Sequence, residues 1–279
     1  MRINTELHKI VQQALEEDIG WGDVTTQLTV PIDARARGVF LAKAAGVIAG
    51  LDVARTAFEI VEPSTEFQAL VQDGDRAVEG AQLAEVSGSA RGILTAERVA
   101  LNFLQRLSGV ATLTAMFVDK VQGTGARIVD TRKTTPGLRR LEKYAVRMGG
   151  GHNHRFGLSD GILIKDNHIS AAGGVKKAVE RARRGAPHTL KIQIEVRDLD
   201  ELHEAISAHA DAVLLDNMTP AELRKAVDLA AGKVILEASG GVSPANVREI
   251  AETGVNLISV GALTHSAPAL DISLNFEQG

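Results

Sequence analysis

Basic residues at strand ends and in glycine-rich loops converge on anions, and the stretch Thr131–Asn167 holds several in that setting. Between Arg127 and Lys165, nine Lys or Arg stand against three Asp or Glu, a local balance of +6 in a chain of net charge −4. Arg139, Arg140, Lys143 and Arg147 have helical spacing and read as a solvated helix face. The others do not. Arg132 and Lys133 follow the apolar run 127–130 and precede Thr134-Thr135-Pro136-Gly137, a strand-to-helix turn. His154 and Arg155 sit in a loop bracketed by glycines, and Lys165 closes Ile162-Leu163-Ile164. Arginine offers a planar fork to carboxylate or phosphate, and lysine a point charge. Two acids, Glu195 and Asp216, end later apolar runs. Near a cation-rich pocket they suit sugar hydroxyls, a Mg²⁺ bound together with phosphates, or an oxocarbenium-like centre. Ser239-Gly240-Gly241-Val242 precedes Ser243-Pro244, which reads as a helix N-cap with Pro at N1. Backbone N–H groups of such a loop cradle phosphate, and Gly261 after the next apolar run completes a two-loop phosphate site.

These residues need a frame that brings distant parts of the chain together. From Arg127 onward, apolar runs at 127–130, 161–165, 190–196, 211–216, 233–238 and 255–260 alternate with helical patterns at 171–184, 198–209, 219–231 and 243–253. Repeated βα units imply a parallel sheet with right-handed crossovers, and in an α/β barrel the carboxyl ends of the strands build the site. Six strands fall short of a full eight-stranded barrel, so a smaller or incomplete one is expected. Bland readings stand beside each motif. Glu195 and Asp216 also fit structural ion pairs. His152, His154 and His168 lack the spacing of a zinc site. Lys165 fits a Schiff-base lysine by position, but such a lysine needs a desolvated pocket rather than a crowd of cations.

The N-terminal part reads differently. Leu7, Ile10, Val11, Ala14 and Leu15 mark a helix that ends before Gly20-Trp21-Gly22-Asp23. Short β-like runs at 37–42, 65–71 and 82–86 follow, interrupted by a helix over 51–61. Their rhythm is that of a biotinyl or lipoyl half-sandwich, but no lysine occurs between Lys43 and Lys120 to carry a prosthetic arm. A supporting β-rich domain is the better reading. Thr95–Leu107 predicts a helix with Thr95 as N-cap, broken at Gly109, with a second helix over 111–121 and a domain boundary between them.

Composition narrows the classes. Without cysteine the 279-residue chain has no disulfide, thiolate metal site or cysteine nucleophile. No apolar run approaches the roughly 20 residues that span a bilayer, and the N-terminus has no signal-peptide pattern, so a cytoplasmic protein is expected. A pI near 6.1 with one Trp and one Tyr argues against a general nucleic-acid binder.

Several motifs together resemble quinolinate phosphoribosyltransferase. They are TRKTTPG at 131–137, NHR at 153–155, IKDNH at 164–168, IEV at 194–196, LLDNM at 214–218 and EASGG at 237–241. The resemblance extends to GDVTT at 22–26, AERVALNFLQRLSG at 96–109 and APALDISL at 267–274, so it runs nearly end to end. It implies an open seven-stranded α/β barrel over 109–265 and an N-terminal α/β sandwich over 1–108, joined by the tail 266–279. It also implies a homodimer in which Arg98 enters the partner's site, and a reaction of quinolinate with 5-phosphoribosyl-1-diphosphate that gives nicotinate mononucleotide, diphosphate and CO₂. Carried over by position, Arg132, His154, Arg155, Lys165 and the partner's Arg98 surround the two quinolinate carboxylates. Lys133 faces the phosphoribosyl donor. Glu195 and Asp216 hold the ribose hydroxyls and the Mg²⁺-bound donor, and Ser239, Gly240, Gly241 and Gly261 hold phosphate. Lys133, Lys165, Glu195 and Asp216 are the expected catalytic set, with Mg²⁺ held mainly through the donor diphosphate. Other readings are a paralogue for another pyridine carboxylate such as nicotinate, a phosphate-binding Schiff-base lyase, and a non-enzymatic scaffold.

Overall fold

Arg35–Ala42 (β1), with Val39, Phe40 and Ala42 buried, is the spine of an antiparallel sheet in the computed structural model, which describes residues Arg2–Phe276. Met1 and residues 277–279 of the expected domain ranges lie outside the described residues. β1 pairs with Gln82–Ser89 and with the C-terminal strand Ile272–Phe276, and Glu66–Ala69 adds to the far side of Gln82–Ser89. In chain order these are β1, then the two-residue pair β2 (Gly46–Val47) and β4 (Arg76–Ala77) around β3 (Glu66–Ala69), then β5 (Gln82–Ser89). Phe40, Phe58 and Phe67 meet with ring centroids 5.8–6.0 Å apart and fill the space between this sheet and the helix Leu51–Val61. Burial of such a ring is worth about 1.5–3 kcal/mol.

The chain divides by contacts into two compact units. Unit 1 holds Met1–Ala115, Thr135–Gly150 and Ser266–Gly279, and unit 2 holds Met116–Thr134 and Gly151–His265. The expected helix break at Gly109 does not occur: Ala90–Val121 is one helix of 32 residues, with Thr95 inside it rather than capping it. Glycine is there for proximity. A Cβ at Gly109 would collide with the Pro268 carbonyl, so the C-terminal segment lies directly on the helix backbone. Within unit 1 the buried Glu142 accepts from the Arg106 guanidinium at 2.7 Å and from Thr135 N at 2.9 Å, which ties down the turn after Lys133.

Unit 2 is built on six parallel strands, the six apolar runs of the sequence. They are β6 (Arg127–Val129), β7 (Ile162–Ile164), β8 (Ile192–Val196), β9 (Ala212–Asp216), β10 (Ile235–Ser239) and β11 (Leu257–Ser259). Their order is β6-β11-β10-β9-β8-β7. Ile192, Ile194, Val213, Leu215 and Ile258 are fully buried, as expected for strands covered on both faces. The seventh strand implied by the resemblance is reduced to one parallel bridge between Val129 and His152. His152 N donates to Ile128 O at 2.9 Å and Asp130 N to His152 O at 3.1 Å. Beyond that bridge the His154 backbone N–H goes to the Asp130 carboxylate at 2.8 Å instead of to a strand, and Asn153 Nδ2 reaches the same carboxylate at 2.7 Å. With His152 included, chain neighbours are sheet neighbours except at His152 and β7, where the barrel is open.

Helices between the strands begin on identifiable caps. Thr219 and Glu222 form a capping box ahead of Pro220–Ala230, with Pro220 at the first helical position, and Asp198 accepts from Glu201 N ahead of Leu199–Ser207. The pattern over 171–184 is split at Gly173-Gly174 into Asp166–Ala172 and Val175–Gly185.

Candidate active site

Each barrel strand delivers side chains to the same end, and there they enclose a cavity of about 690 Å³. Thr131, Arg132 and Lys133 arrive after β6, Lys165 after β7, Glu195 from β8, Asp216 from β9, and Glu237 and Ser239 from β10. Gly240, Gly241 and Gly261 line it, as do His154 and Arg155 from the seam. The sequence-predicted residues of unit 2 are therefore brought together. Arg98 belongs to unit 1, exposed on the helix Ala90–Val121.

Charges inside the cavity are coupled. Lys165 Nζ lies 2.9 Å from Glu195 Oε2, with the lysine half exposed and the glutamate mostly covered. The cation set and the acid set read separately from the sequence therefore share a contact. Arg155 donates from Nη1 to Gly161 O at 2.9 Å, and its Nε is buried without a partner. Burial first, and then the neighbouring Arg132 guanidinium, hold Arg155 below the usual arginine range. Two guanidiniums that repel, one with an unused donor, make a place for a dianion.

In the loop after β10 the glycines adopt backbone that suits glycine, and the helix behind them starts later than expected. Gly240 (φ +93°) and Gly241 (φ +59°) both have positive φ, backbone that glycine adopts without strain. A Cβ on Gly240 would collide with the Asn217 side-chain amide. The helix expected from Ser243-Pro244 starts at Val247, with Asn246 at its N-cap. Residues 243–246 form a separate turn ahead of it: Asn246 Oδ1 accepts from Ser243 N at 2.8 Å and Ser243 O accepts from Asn246 N at 3.2 Å.

Sequence reasoning missed the floor of the cavity. Glu237 is 1% exposed, and its Oε2 accepts from Gln193 Nε2 at 2.8 Å and lies 3.4 Å from His154 Nε2. Burial pushes the Glu237 carboxyl up, but a hydrogen bond from His154, the attraction of that ring when protonated, and hydrogen bonds from Gln193 and Ser259 outweigh it and leave the group below its usual range. Asp130 is fully buried and holds the 153–154 backbone. The available signal was a polar residue inside an apolar run: Gln193 in Ile-Gln-Ile-Glu-Val and Glu237 in Ile-Leu-Glu-Ala-Ser. His265 also lines the cavity beside Gly261.

An open parallel α/β barrel whose strand-end cavity combines neighbouring guanidiniums, the acids Glu195 and Asp216 and a glycine loop has the architecture of a barrel enzyme. Residues 23–108 match the N-terminal domain, and residues 110–275 the C-terminal domain, of the family described as quinolinate phosphoribosyl transferase. A probable nicotinate-nucleotide pyrophosphorylase (carboxylating) of Bacillus subtilis is 43% identical over 270 residues, covering 97% of this chain and 93% of its own. The nicotinate-nucleotide pyrophosphorylase (carboxylating) of Mycobacterium leprae is 46% identical over 271 residues, with 95% of each chain covered. The solved nicotinate-nucleotide pyrophosphorylase of Francisella tularensis superposes with a TM-score of 0.95 at 41% identity, covering 98% of this chain and 97% of the other. The chain belongs to the quinolinate phosphoribosyltransferase family.

Proposed function

We propose that the chain transfers the phosphoribosyl group of 5-phosphoribosyl-1-diphosphate to quinolinate with decarboxylation, giving nicotinate mononucleotide, diphosphate and CO₂ in NAD biosynthesis. The observation that carries this reading is the meeting of Arg132, Arg155 and Lys165 with Glu195, Asp216 and the Gly240-Gly241 loop in one cavity. Substrate and donor together bring about six negative charges, which must be neutralised before the ring nitrogen can approach the ribose. Arg132, Arg155, Lys165 and Lys133 supply that neutralisation. The repelling guanidiniums suit a diacid such as quinolinate better than nicotinate. Loss of diphosphate leaves a cationic ribosyl centre, which Glu195 and Asp216 stabilise. The ribosylated ring is a pyridinium and draws the electrons left by the departing carboxylate, so decarboxylation needs no further cofactor. Lys165 is ion-paired and half exposed, unlike the desolvated amine of a Schiff-base lyase.

For Mg²⁺ the donor set sets the terms. Glu195 and Asp216 offer the hard oxygens that the ion takes, but among the described residues no group of three acids or histidines could hold a metal. The protein would therefore contribute at most these two carboxylates, and diphosphate and water the rest. The ion's chemistry is to neutralise the leaving diphosphate.

The chain works as a homodimer with shared sites. Supporting this is an exposed apolar patch of Trp21, Val24, Leu28 and Ile32 in unit 1, with Trp21 fully exposed at 108%. It lies beside the helix that carries Arg98, since Thr95 Oγ1 donates to Asp23 Oδ2 at 3.2 Å and Arg91 donates to Val30 O at 2.7 Å. Among the described residues no helix is long and apolar enough to cross a membrane. The cytoplasm is the proposed site of action.

Incubation with quinolinate, the donor and Mg²⁺ is expected to release CO₂ and nucleotide in equal amounts; the donor consumed without either would sink the reading. Asp216→Asn should lower turnover with quinolinate affinity kept, whereas Glu195→Gln should alter both because it loosens Lys165. Gly240→Ala should raise the KM for the donor about tenfold or more, since backbone strain of this kind costs about 1–3 kcal/mol. Quinolinate affinity should stay put. An unchanged donor KM in Gly240→Ala would remove the loop from phosphate binding.

A further inference from the structure

His154 stands among the residues expected to meet quinolinate as cations, but the hydrogen-bond partners of its two ring nitrogens point to a single proton. The Arg155 backbone N–H lies 2.7 Å from His154 Nδ1. A backbone N–H can only donate, so Nδ1 must present its lone pair. On the other side His154 Nε2 is 2.9 Å from Gln193 Oε1, which can only accept, so Nε2 carries the hydrogen. The orientation of the Gln193 amide is itself determined. Its Nε2 donates to Glu237 Oε2 at 2.8 Å, and an ionised carboxylate only accepts, so Gln193 Oε1 is left to face the imidazole. Glu237 is 1% and Gln193 8% exposed, while His154 keeps 17% of its side chain open and its Nε2 lies 3.4 Å from Glu237 Oε2.

We infer that Glu237 and Gln193 are positioning residues that hold His154 as the neutral Nε2–H tautomer. His154 then acts not as a cation on the substrate but as the anchor of the Arg155 backbone. The anchor has a second leg, because Asp130 Oδ1 accepts from His154 N at 2.8 Å. The Arg155 guanidinium thus projects from a backbone fixed on both sides, which sets where its unused Nε and the neighbouring Arg132 meet a carboxylate. An imidazolium at position 154 would set N–H against N–H and release that backbone. This inference deepens the proposed function and rests on it for the identity of the carboxylate. It also moves the neutralisation of quinolinate onto Arg132, Arg155 and Lys165 together with the partner subunit's arginine.

The tautomer can be read directly in the full-length enzyme labelled with ¹⁵N-histidine, with the His154 signals assigned by their loss in His154→Gln. One pyrrole-like nitrogen (Nε2) and one pyridine-like nitrogen (Nδ1) are expected at neutral pH, unchanged on saturation with quinolinate. Two protonated nitrogens, in the free enzyme or after quinolinate is added, would overturn the inference, as would the Nδ1–H tautomer. This wild-type reading requires no variant to fold. In Glu237→Gln the amide at 193 loses its fixed acceptor, so a mixed tautomer signal and an increase of about tenfold in the quinolinate KM are expected, with the donor KM kept. A merely structural Glu237 would change stability and leave the tautomer signal alone, and that result would remove Glu237 from the network. Failure of quinolinate turnover with the tautomer intact would count against the proposed substrate and not against the network, so the two failures are distinguishable.

Discussion

Lys165→Ala and Arg155→Ala should each weaken quinolinate binding tenfold to over a hundredfold while changing thermal stability far less. A hydrogen bond to a charged group is worth roughly 1.5–3 kcal/mol, and every 1.4 kcal/mol is a factor of about ten. Lys165 is half exposed at the end of β7, so its removal opens no cavity in the core. Its loss does strand Glu195, which is 2.9 Å away and mostly covered, so turnover should fall along with affinity. Arg155 is more enclosed, and its Nη1 bond to Gly161 O helps to close the seam, so a small loss of stability accompanies the loss of affinity. Isothermal titration with quinolinate separates the two effects from folding. Folded variants with wild-type affinity would take both residues out of the substrate site. The ion pair adds a further expectation: in a double-mutant cycle of Lys165→Ala and Glu195→Gln the two losses should not add, since residues in contact share their interaction energy.

The second large effect concerns Arg98. It is exposed on the helix Ala90–Val121, where its charge favours ionisation of the half-buried Glu97 carboxyl that burial pushes up. A surface arginine of that kind would cost almost nothing to remove. If it completes the site of the second subunit, Arg98→Ala homodimers should be nearly inactive, as Lys165→Ala homodimers should be. The mixed dimer separates the possibilities. With Arg98 acting in trans, one site carries both lesions and the other carries neither, so activity should return toward about half of wild type per mixed dimer. With Arg98 acting in its own subunit, every site keeps one lesion and nothing returns. Mixed dimers confirmed by mass that show no recovery would rule out the shared site.

Much of the barrel was legible because parallel strands covered on both faces must be apolar. Runs such as Ala212–Leu215 and Ile192–Val196 announce themselves, and the charged residues that close them mark the functional end. The cations were legible by the same logic, since Arg132, Arg155 and Lys165 sit where a helix face cannot explain them. What was lost lay in contacts between residues far apart in sequence. Gly109 looks like a helix breaker until the Pro268 carbonyl is seen against it. Ser243 opens a turn closed by the Asn246 side chain, and the regular helix begins only at Val247. Gln193 and Glu237 were passed over because a polar residue inside an apolar strand says that a partner exists without saying which. The His154 protonation state needed that partner, and so could not be read from the string NHR. The seventh strand had no signal at all: a one-residue bridge has no periodicity.

The pairing of β1 with the C-terminal strand has a consequence for how the protein is made. Unit 1 is stitched from three stretches of chain, and its sheet places the first strand of the molecule beside the last. During synthesis the barrel strands are all available once Ser259 has emerged. β1 must wait until Phe276 does, holding Phe40 and Leu41 on an unpaired edge for nearly the whole of translation. Exposed apolar edges of this kind invite pairing with other chains. A chain terminated early by a few residues would therefore damage the N-terminal unit and leave the barrel sheet whole.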